Sequence, residues 1–480
     1  MLKVFTRKMM QTKERRLFAM TLGYYGILFF VPSNIVFLTV SFFYFLLLWK
    51  LLGSVEEAAF ISFFINMPFV KGKSFSFLIL PKEFVRLAIQ RDLIYYFPFT
   101  ISDFYLLIVL WIHLRTKGAK NKKAVPYFAV ACLLVYLAVS IVSALMSEQL
   151  AVSLLSTALL FKLVIIFLLP SFIKFSSGRI KTMISIMCSF TIFEGAWGVL
   201  QNIFRGSLGR YIESFNNAYT YGKMAWENKS LLRASGTFVD PDLYGTFMFM
   251  HFVVFFYLFL TSKTLTTARR SLYGLCALLA SVSIFITGNR VLYICYVLCF
   301  VGMLIMMKKA QHAFAYLKKP TVLFATLSAF VFVFPYAAAR MQNFLAVFLQ
   351  GSATFRIQIA EYASRLGWAN ILGVGPGVSP YHFALDFPGA TVLFGPDYPH
   401  AIFFQIFAET GIFGLMIFLI FLYTAFRPLI IRARNVQYSY LYLAAGAYII
   451  SACFYPLYIP LVELPSFFFL YLGIAVFANI

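Results

Sequence analysis

The feature that most constrains this chain is a series of apolar runs, each roughly 17 to 25 residues long, recurring along most of its length. Segments of that length are what crossing about 30 Å of hydrocarbon requires. Inside lipid the backbone has to satisfy its own hydrogen bonds, which leaves helices or closed barrels. Runs this long and without alternation predict helices. With 62% hydrophobic and 12% charged residues and a mean hydropathy of +0.85, the expected fold class is all-α: a polytopic transmembrane helix bundle of about 12–14 spans.

The formal net charge of +23 is not distributed as a nucleic-acid surface, and no nucleic-acid partner is expected. Lys and Arg concentrate in short loops at 1–16, 115–123, 174–181, 263–270, 308–319 and 427–434, where only Glu14 opposes them. Such loops mark the cytoplasmic side and suit anionic lipid. Counted from a cytoplasmic N-terminus, spans fall near 17–31, 34–52, 57–70, 97–114, 125–146, 150–170, 181–203, 240–261, 271–287, 290–307, 320–337, 402–426, 438–456 and 460–478. Every basic loop then lies inside, while 204–239, 338–400 and the turn Ile286–Arg290 lie outside. Segment 71–96 fits less well, with five basic and two acidic residues on the outer side. Either one or more of the first three runs do not span, or an amphipathic helix from Pro81 lies on the outer leaflet. The organisation read from this is a basic cytoplasmic N-terminus (1–16), a transmembrane bundle (17–337) with external segment 204–239, a large helical extracytoplasmic loop (338–400) and C-terminal transmembrane helices (401–480). The first span has a basic start but no small-residue cleavage site, so it reads as a retained helix. Six cysteines sit in apolar runs without a CxxC pair, which predicts small buried hydrophobes rather than a disulfide framework or zinc site.

Three ionisable residues stand at the outer ends of spans. Arg233 lies in RASGTFVDPDLYG, Arg290 closes ITGNR, and His400 opens PDYPHAIFFQIFAETGIFG. Interfacial anchoring is the plain explanation for any one of them; their common side and Gly/Pro contexts favour a site. A histidine exchanges protons near neutral pH. In the first segment Gly236 and Pro241 predict a turn, and Asp240 and Asp242 are placed to cap the next helix. In GVGPGVSPY, Gly373, Gly375 and Gly377 predict backbone with exposed amides, but no P-loop lysine follows, so nucleoside triphosphate chemistry is not indicated. Secondary candidates are Arg356 and Arg365, whose plainer reading is the solvated face of a loop helix, and His382 in the same loop. Glu409, nine residues beyond His400, reads as a paired or capping acid before a catalytic one. Asp103 and Glu194 read as structural acids, and His251 as a bundle histidine.

The ordered set RASGTFVDPDLYG, TGNR, FRIQIAEYASRLGWANILGVGPG and HAIFFQIFAETGIFG resembles the O-antigen ligase and O-antigen polymerase superfamily over roughly residues 200–420. The resemblance implies a GT-C-like bacterial inner-membrane glycosyltransferase working on the outer face. Its donor would be an undecaprenyl-pyrophosphate-linked oligosaccharide and its acceptor a glycan or lipid, with no nucleotide sugar, metal or other cofactor. Carried over by position, Arg233 and Arg290 would bind the pyrophosphate and His400 would activate the acceptor hydroxyl. A flippase and a chain-length regulator are the partners such an enzyme would have. The chain departs from the family pattern at Ala401, at Asp240 and Asp242, and at Asn289, where relatives often carry Asn, Asn and Ser. Polymerase and ligase differ only in acceptor, and the motifs do not separate them. The competing class, a lipid-linked glycan flippase or other transporter, would need ionisable residues along a mid-membrane path, often in repeated halves.

Overall fold

The computed structural model describes residues 13–29, 34–68, 74–77, 97–115, 126–173, 177–204, 233–238, 241–261, 266–306, 352–386, 399, 401–432, 438–453 and 463–478. In chain order these form α1 (Lys13–Phe29), α2 (Asn34–Leu52), α3 (Val55–Asn66), β1 (Ser74–Phe77), β2 (Phe97–Thr100), α4 (Ile101–Arg115), α5 (Tyr127–Leu145), α6 (Leu150–Phe172), α7 (Ser177–Phe204), α8 (Pro241–Thr261), α9 (Thr267–Ile286), α10 (Arg290–Met306), α11 (Ser352–Ala369), α12 (Ser379–Asp386), α13 (Ile402–Arg432), α14 (Ser439–Ala452) and α15 (Glu463–Ala478). Seven of these, α2, α5, α6, α7, α8, α9 and α13, contain stretches long and apolar enough to cross a membrane; α10, α14 and α15 contribute shorter apolar segments. The fold is an all-α polytopic membrane bundle, as the apolar runs predict.

Two details differ from the periodicity reading. The run near 57–70 is the 12-residue helix α3, started by Ser54, whose hydroxyl accepts from the Glu57 amide at 3.3 Å in a capping-box position. That is too short to span by itself. The run near 97–114 begins as β2, which pairs antiparallel with β1, Ser74 opposite Thr100 and Phe77 opposite Phe97. The SFSF alternation is a period-two signal that a search for long apolar runs passes over. The amphipathic helix expected from Pro81 and the span at 320–337 lie outside the described residues.

Two compact units divide the chain. The first holds α1–α4 and α7–α10. In it α7 packs against α1 and α9, and α8 packs against α9 and α10. The α8–α9 hairpin has two distinct ends about 30 Å apart, since α8 has 21 residues. One end carries Arg270, whose Nε donates to the Phe259 carbonyl at 3.2 Å, and Arg269, paired with Glu14. The other carries Arg233, Asp242 and Thr287. Glu14 at the start of α1 and the Arg269–Arg270 pair therefore share an end. The second unit holds β1, β2, α5, α6 and α11–α15, with α13 packed against α5 and α11 and α15 against α6.

Candidate functional site

In the first unit the site is built around a short non-helical segment, residues 233–238, lying alongside α7. Buried backbone of this kind persists only where its polar groups find partners. Two side chains on α7 provide them. Gln201 accepts from the Ser235 and Gly236 amides at 3.1 and 2.9 Å and donates to the Gly236 carbonyl at 2.9 Å. Glu194 accepts from the Thr237 amide at 2.8 Å and from the Thr237 hydroxyl. The Ala234 amide reaches the Ile286 carbonyl of α9 at 3.1 Å. Gly236 holds φ at +58°, and a Cβ there would stand 2.5 Å from the Tyr244 ring and 2.6 Å from Glu194 Oε2. Only glycine fits that turn.

Held this way, Arg233 donates through Nε to the Thr287 carbonyl at 2.6 Å and pairs through Nη2 with Asp242 Oδ1. The same Oδ1 accepts from Asn289 Nδ2 at 2.9 Å. Asn289 is the N-cap of α10, its Oδ1 receiving the Leu292 amide at 3.0 Å. Arg290 follows as the first residue of that helix, half-buried. A cation there opposes the positive end of the helix dipole, so helix stability does not account for it. Arg233 and the first turn of α10 are thus joined through Asp242 at one end of the unit.

In the second unit the break in α13 dominates. Gly411 has φ 67° and ψ −170°, which interrupts the ladder just after Glu409 and leaves preceding carbonyls without their i+4 donors. The glycine turn after α11 takes their place. The Val374 amide donates to the Ala408 carbonyl and the Gly375 amide to the Glu409 carbonyl, each at 3.0 Å, and Ser143 Oγ of α5 adds a bond to the Glu409 carbonyl at 2.7 Å. The Gly373 and Gly375 amides are therefore engaged inside the unit, at the Asn370 and Glu409 carbonyls, where the sequence predicts exposed amides. A Cβ on Gly375 would meet Ser147 and Ser153 hydroxyls within 2.6 Å. The Glu409 carboxylate receives Ser379 Oγ at 2.8 Å and Gln405 Nε2 at 3.3 Å, with the Gly377 and Ser379 amides directed at it.

The remaining candidates separate clearly. Arg365 pairs with Glu361 one turn earlier at 2.6 Å, with side chains 76% and 58% exposed, a solvent pair of small energetic weight. Arg356 is half-buried on α11. His382 on α12 is half-buried beside Tyr381; burial pushes its pKa down, with Glu148 and Asp386 opposing. Nearby Tyr362 donates to Asp386, and burial raises its pKa well above the usual range. His251 is buried among Phe190, Phe247 and Phe255, its Nδ1 2.8 Å from the Phe247 carbonyl. His400 lies outside the described residues, between a buried Pro399 and the start of α13. Gln201, Ser379 and Gln405 escaped the sequence reading because uncharged polar residues in apolar runs give no distinctive pattern. Lys162, buried in α6, did leave a signal, a single charge inside a span. Among the described residues no group of three or more His, Cys, Asp or Glu side chains is placed to hold a metal ion.

Residues 275–419 match a family model described as O-antigen ligase. The matched stretch contains Arg290, the glycine turn, His400 and Glu409, and begins after Arg233. No curated protein matches the chain.

Proposed function

We propose that this chain, whose residues 275–419 match a family model described as O-antigen ligase, is a membrane glycosyltransferase polymerising undecaprenyl-pyrophosphate-linked oligosaccharide repeats into a cell-surface polysaccharide. It works in the bacterial cytoplasmic membrane with its active site facing outward. The observation that carries the reading is Arg290 on the first turn of α10, where a cation is unfavourable for the helix itself, tied through Asn289 and Asp242 to Arg233. A guanidinium fork matches phosphate oxygens bidentately and keeps its charge throughout. At a partly desolvated membrane edge, fixed cations stabilise the charge that grows on a departing pyrophosphate.

The reaction is displacement at an anomeric carbon. An acceptor hydroxyl oxygen forms the new C–O bond as the bond from that carbon to the pyrophosphate oxygen breaks. The electron pair leaves with undecaprenyl pyrophosphate, and His400 takes the hydroxyl proton as general base, a role suited to imidazole near neutral pH. With a repeat-unit glycan as acceptor the enzyme is a polymerase; with a lipid or cell-wall acceptor the same steps make it a ligase. A flippase supplying the donor and a chain-length regulator are the partners this places around it.

The test is replacement of His400 and, separately, Arg290 by Ala, with membrane insertion verified and surface polysaccharide resolved on a gel. Loss of the ladder with single repeats accumulating supports the polymerase. Loss of attachment with long free glycan accumulating supports the ligase. Wild-type ladders from both variants overturn the assignment.

A further inference from the structure

An aspartate in the first turn of a helix ordinarily serves that helix, through its amides or its dipole. Asp242, in the first turn of α8, also turns sideways. Its Oδ1 serves two partners from other segments, Arg233 Nη2 and Asn289 Nδ2. The ring closes through the rest of the site: Arg233 Nε binds the Thr287 carbonyl, the Thr287 hydroxyl receives the Asn289 amide at 3.3 Å, and Asn289 caps α10. Arg233 and Asp242 are both largely enclosed, with side chains 15% and 21% exposed, so their bonds are little weakened by competing water.

We propose that Asp242 is a positioning residue for the cationic pair: it orients the Arg233 guanidinium and, through Asn289, fixes the first turn of α10 that carries Arg290. This rests on the reading of those arginines as the pyrophosphate-binding residues and adds how they are held. A long, flexible arginine presents its fork in one direction only when another group anchors it. The contacts to Thr287 and Asp242 engage Nε and Nη2, which fixes the plane of the guanidinium. Because Asp242 offsets one of the two positive charges, binding depends on the direction of the donors as well as on net charge.

The experiment uses the full-length protein in lipid nanodiscs, with undecaprenyl pyrophosphate as the binding probe and amide hydrogen exchange over residues 288–294 without ligand. Asp242→Asn keeps an oxygen acceptor and is expected to retain exchange protection, with affinity within about threefold of wild type. Asp242→Ala removes the acceptor and is expected to speed exchange at the start of α10 and weaken binding about tenfold or more, the scale of one lost charge-assisted hydrogen bond. Should Asp242→Ala fail to insert, Asn289→Asp keeps the helix cap but sets a carboxylate against Asp242. The same losses are expected from it. Wild-type exchange or affinity in the variant lacking the link overturns the proposal, as does equal impairment in Asp242→Asn and Asp242→Ala. Arg290→Ala separates the two ideas: unchanged affinity in that variant overturns the pyrophosphate reading, while the exchange measurement still decides the role of Asp242.

Discussion

Replacing Gly411 by Ala tests whether the break in α13 is built in or incidental. The two sides can be weighed. Alanine favours a continuous helix by about 1 kcal/mol relative to glycine. Against this, φ 67° and ψ −170° lie in a region open to glycine almost alone, and a residue forced there costs about 1–3 kcal/mol. A Cβ at Gly411 would also stand 1.9 Å from the Ile371 carbonyl oxygen, so the turn after α11 must withdraw. Withdrawal gives up the Val374 and Gly375 amide bonds to Ala408 and Glu409 and disturbs the Ser143 bond to Glu409, at about 0.5–1.5 kcal/mol each. The net loss is about 2–6 kcal/mol, large against domain stabilities of about 5–15 kcal/mol. Thermal unfolding of purified protein in detergent measures it. Gly446→Ala on α14, where a Cβ meets only Phe426 at 3.9 Å, is the reference, expected to be neutral or slightly stabilising. If Gly411→Ala matches Gly446→Ala within about 1 kcal/mol, the glycine turn does not hold the break open and the reasoning fails.

Two further outcomes are expected. Glu194→Ala leaves the buried Thr237 amide and hydroxyl without their acceptor, a loss of about 2–5 kcal/mol, with Glu194→Gln intermediate; equal melting temperatures for Ala and wild type would refute it. His382 has its pKa lowered by burial, so as pH falls below about 6.5 the unfolded chain takes up a proton that the folded one resists. The stability from burying it neutral is present above that pH and is lost below it. The difference in melting temperature between pH 7.5 and 5.5 should shrink in His382→Asn; an unchanged difference would contradict the assignment.

How much was legible in advance follows from the kind of signal involved. Long apolar runs such as 150–170 and 240–261 announce helices because burial in lipid leaves the backbone no alternative, and α6 and α8 match them closely. The break at Gly411 was not legible. A glycine in an apolar run reads as a tolerated helical residue, and a continuous helix would carry Glu409 roughly two and a half turns past His400. The deciding contacts come from Ile371 to Gly375, over thirty residues earlier. Arg233 and Arg290 were visible as charges at span ends. Their connection through Asp242 and Asn289 was not, since it depends on the α8–α10 packing. The sequence marks the two aspartates flanking Pro241 as caps; Asp242 also reaches sideways to another segment.

The buried acids gain a common explanation from both units. An acid inside a span is expensive and invites a catalytic reading. Yet Glu194 and Glu409 each face a glycine-bearing, non-helical stretch, 235–237 in one unit and 373–378, up to the first residue of α12, in the other. Irregular backbone that is buried needs acceptors for amides that no helix ladder uses, and a carboxylate supplies several acceptor positions where a serine supplies two. Each acid thus binds irregular backbone: Glu194 next to the Arg233 segment, and Glu409 about two turns into α13, just before its break at Gly411. Two such acids in apolar helices are therefore the expected companions of a site made from bent backbone. In a chain of this kind, an intramembrane glutamate within reach of a glycine-rich segment locates the scaffold of the site before it identifies a proton donor.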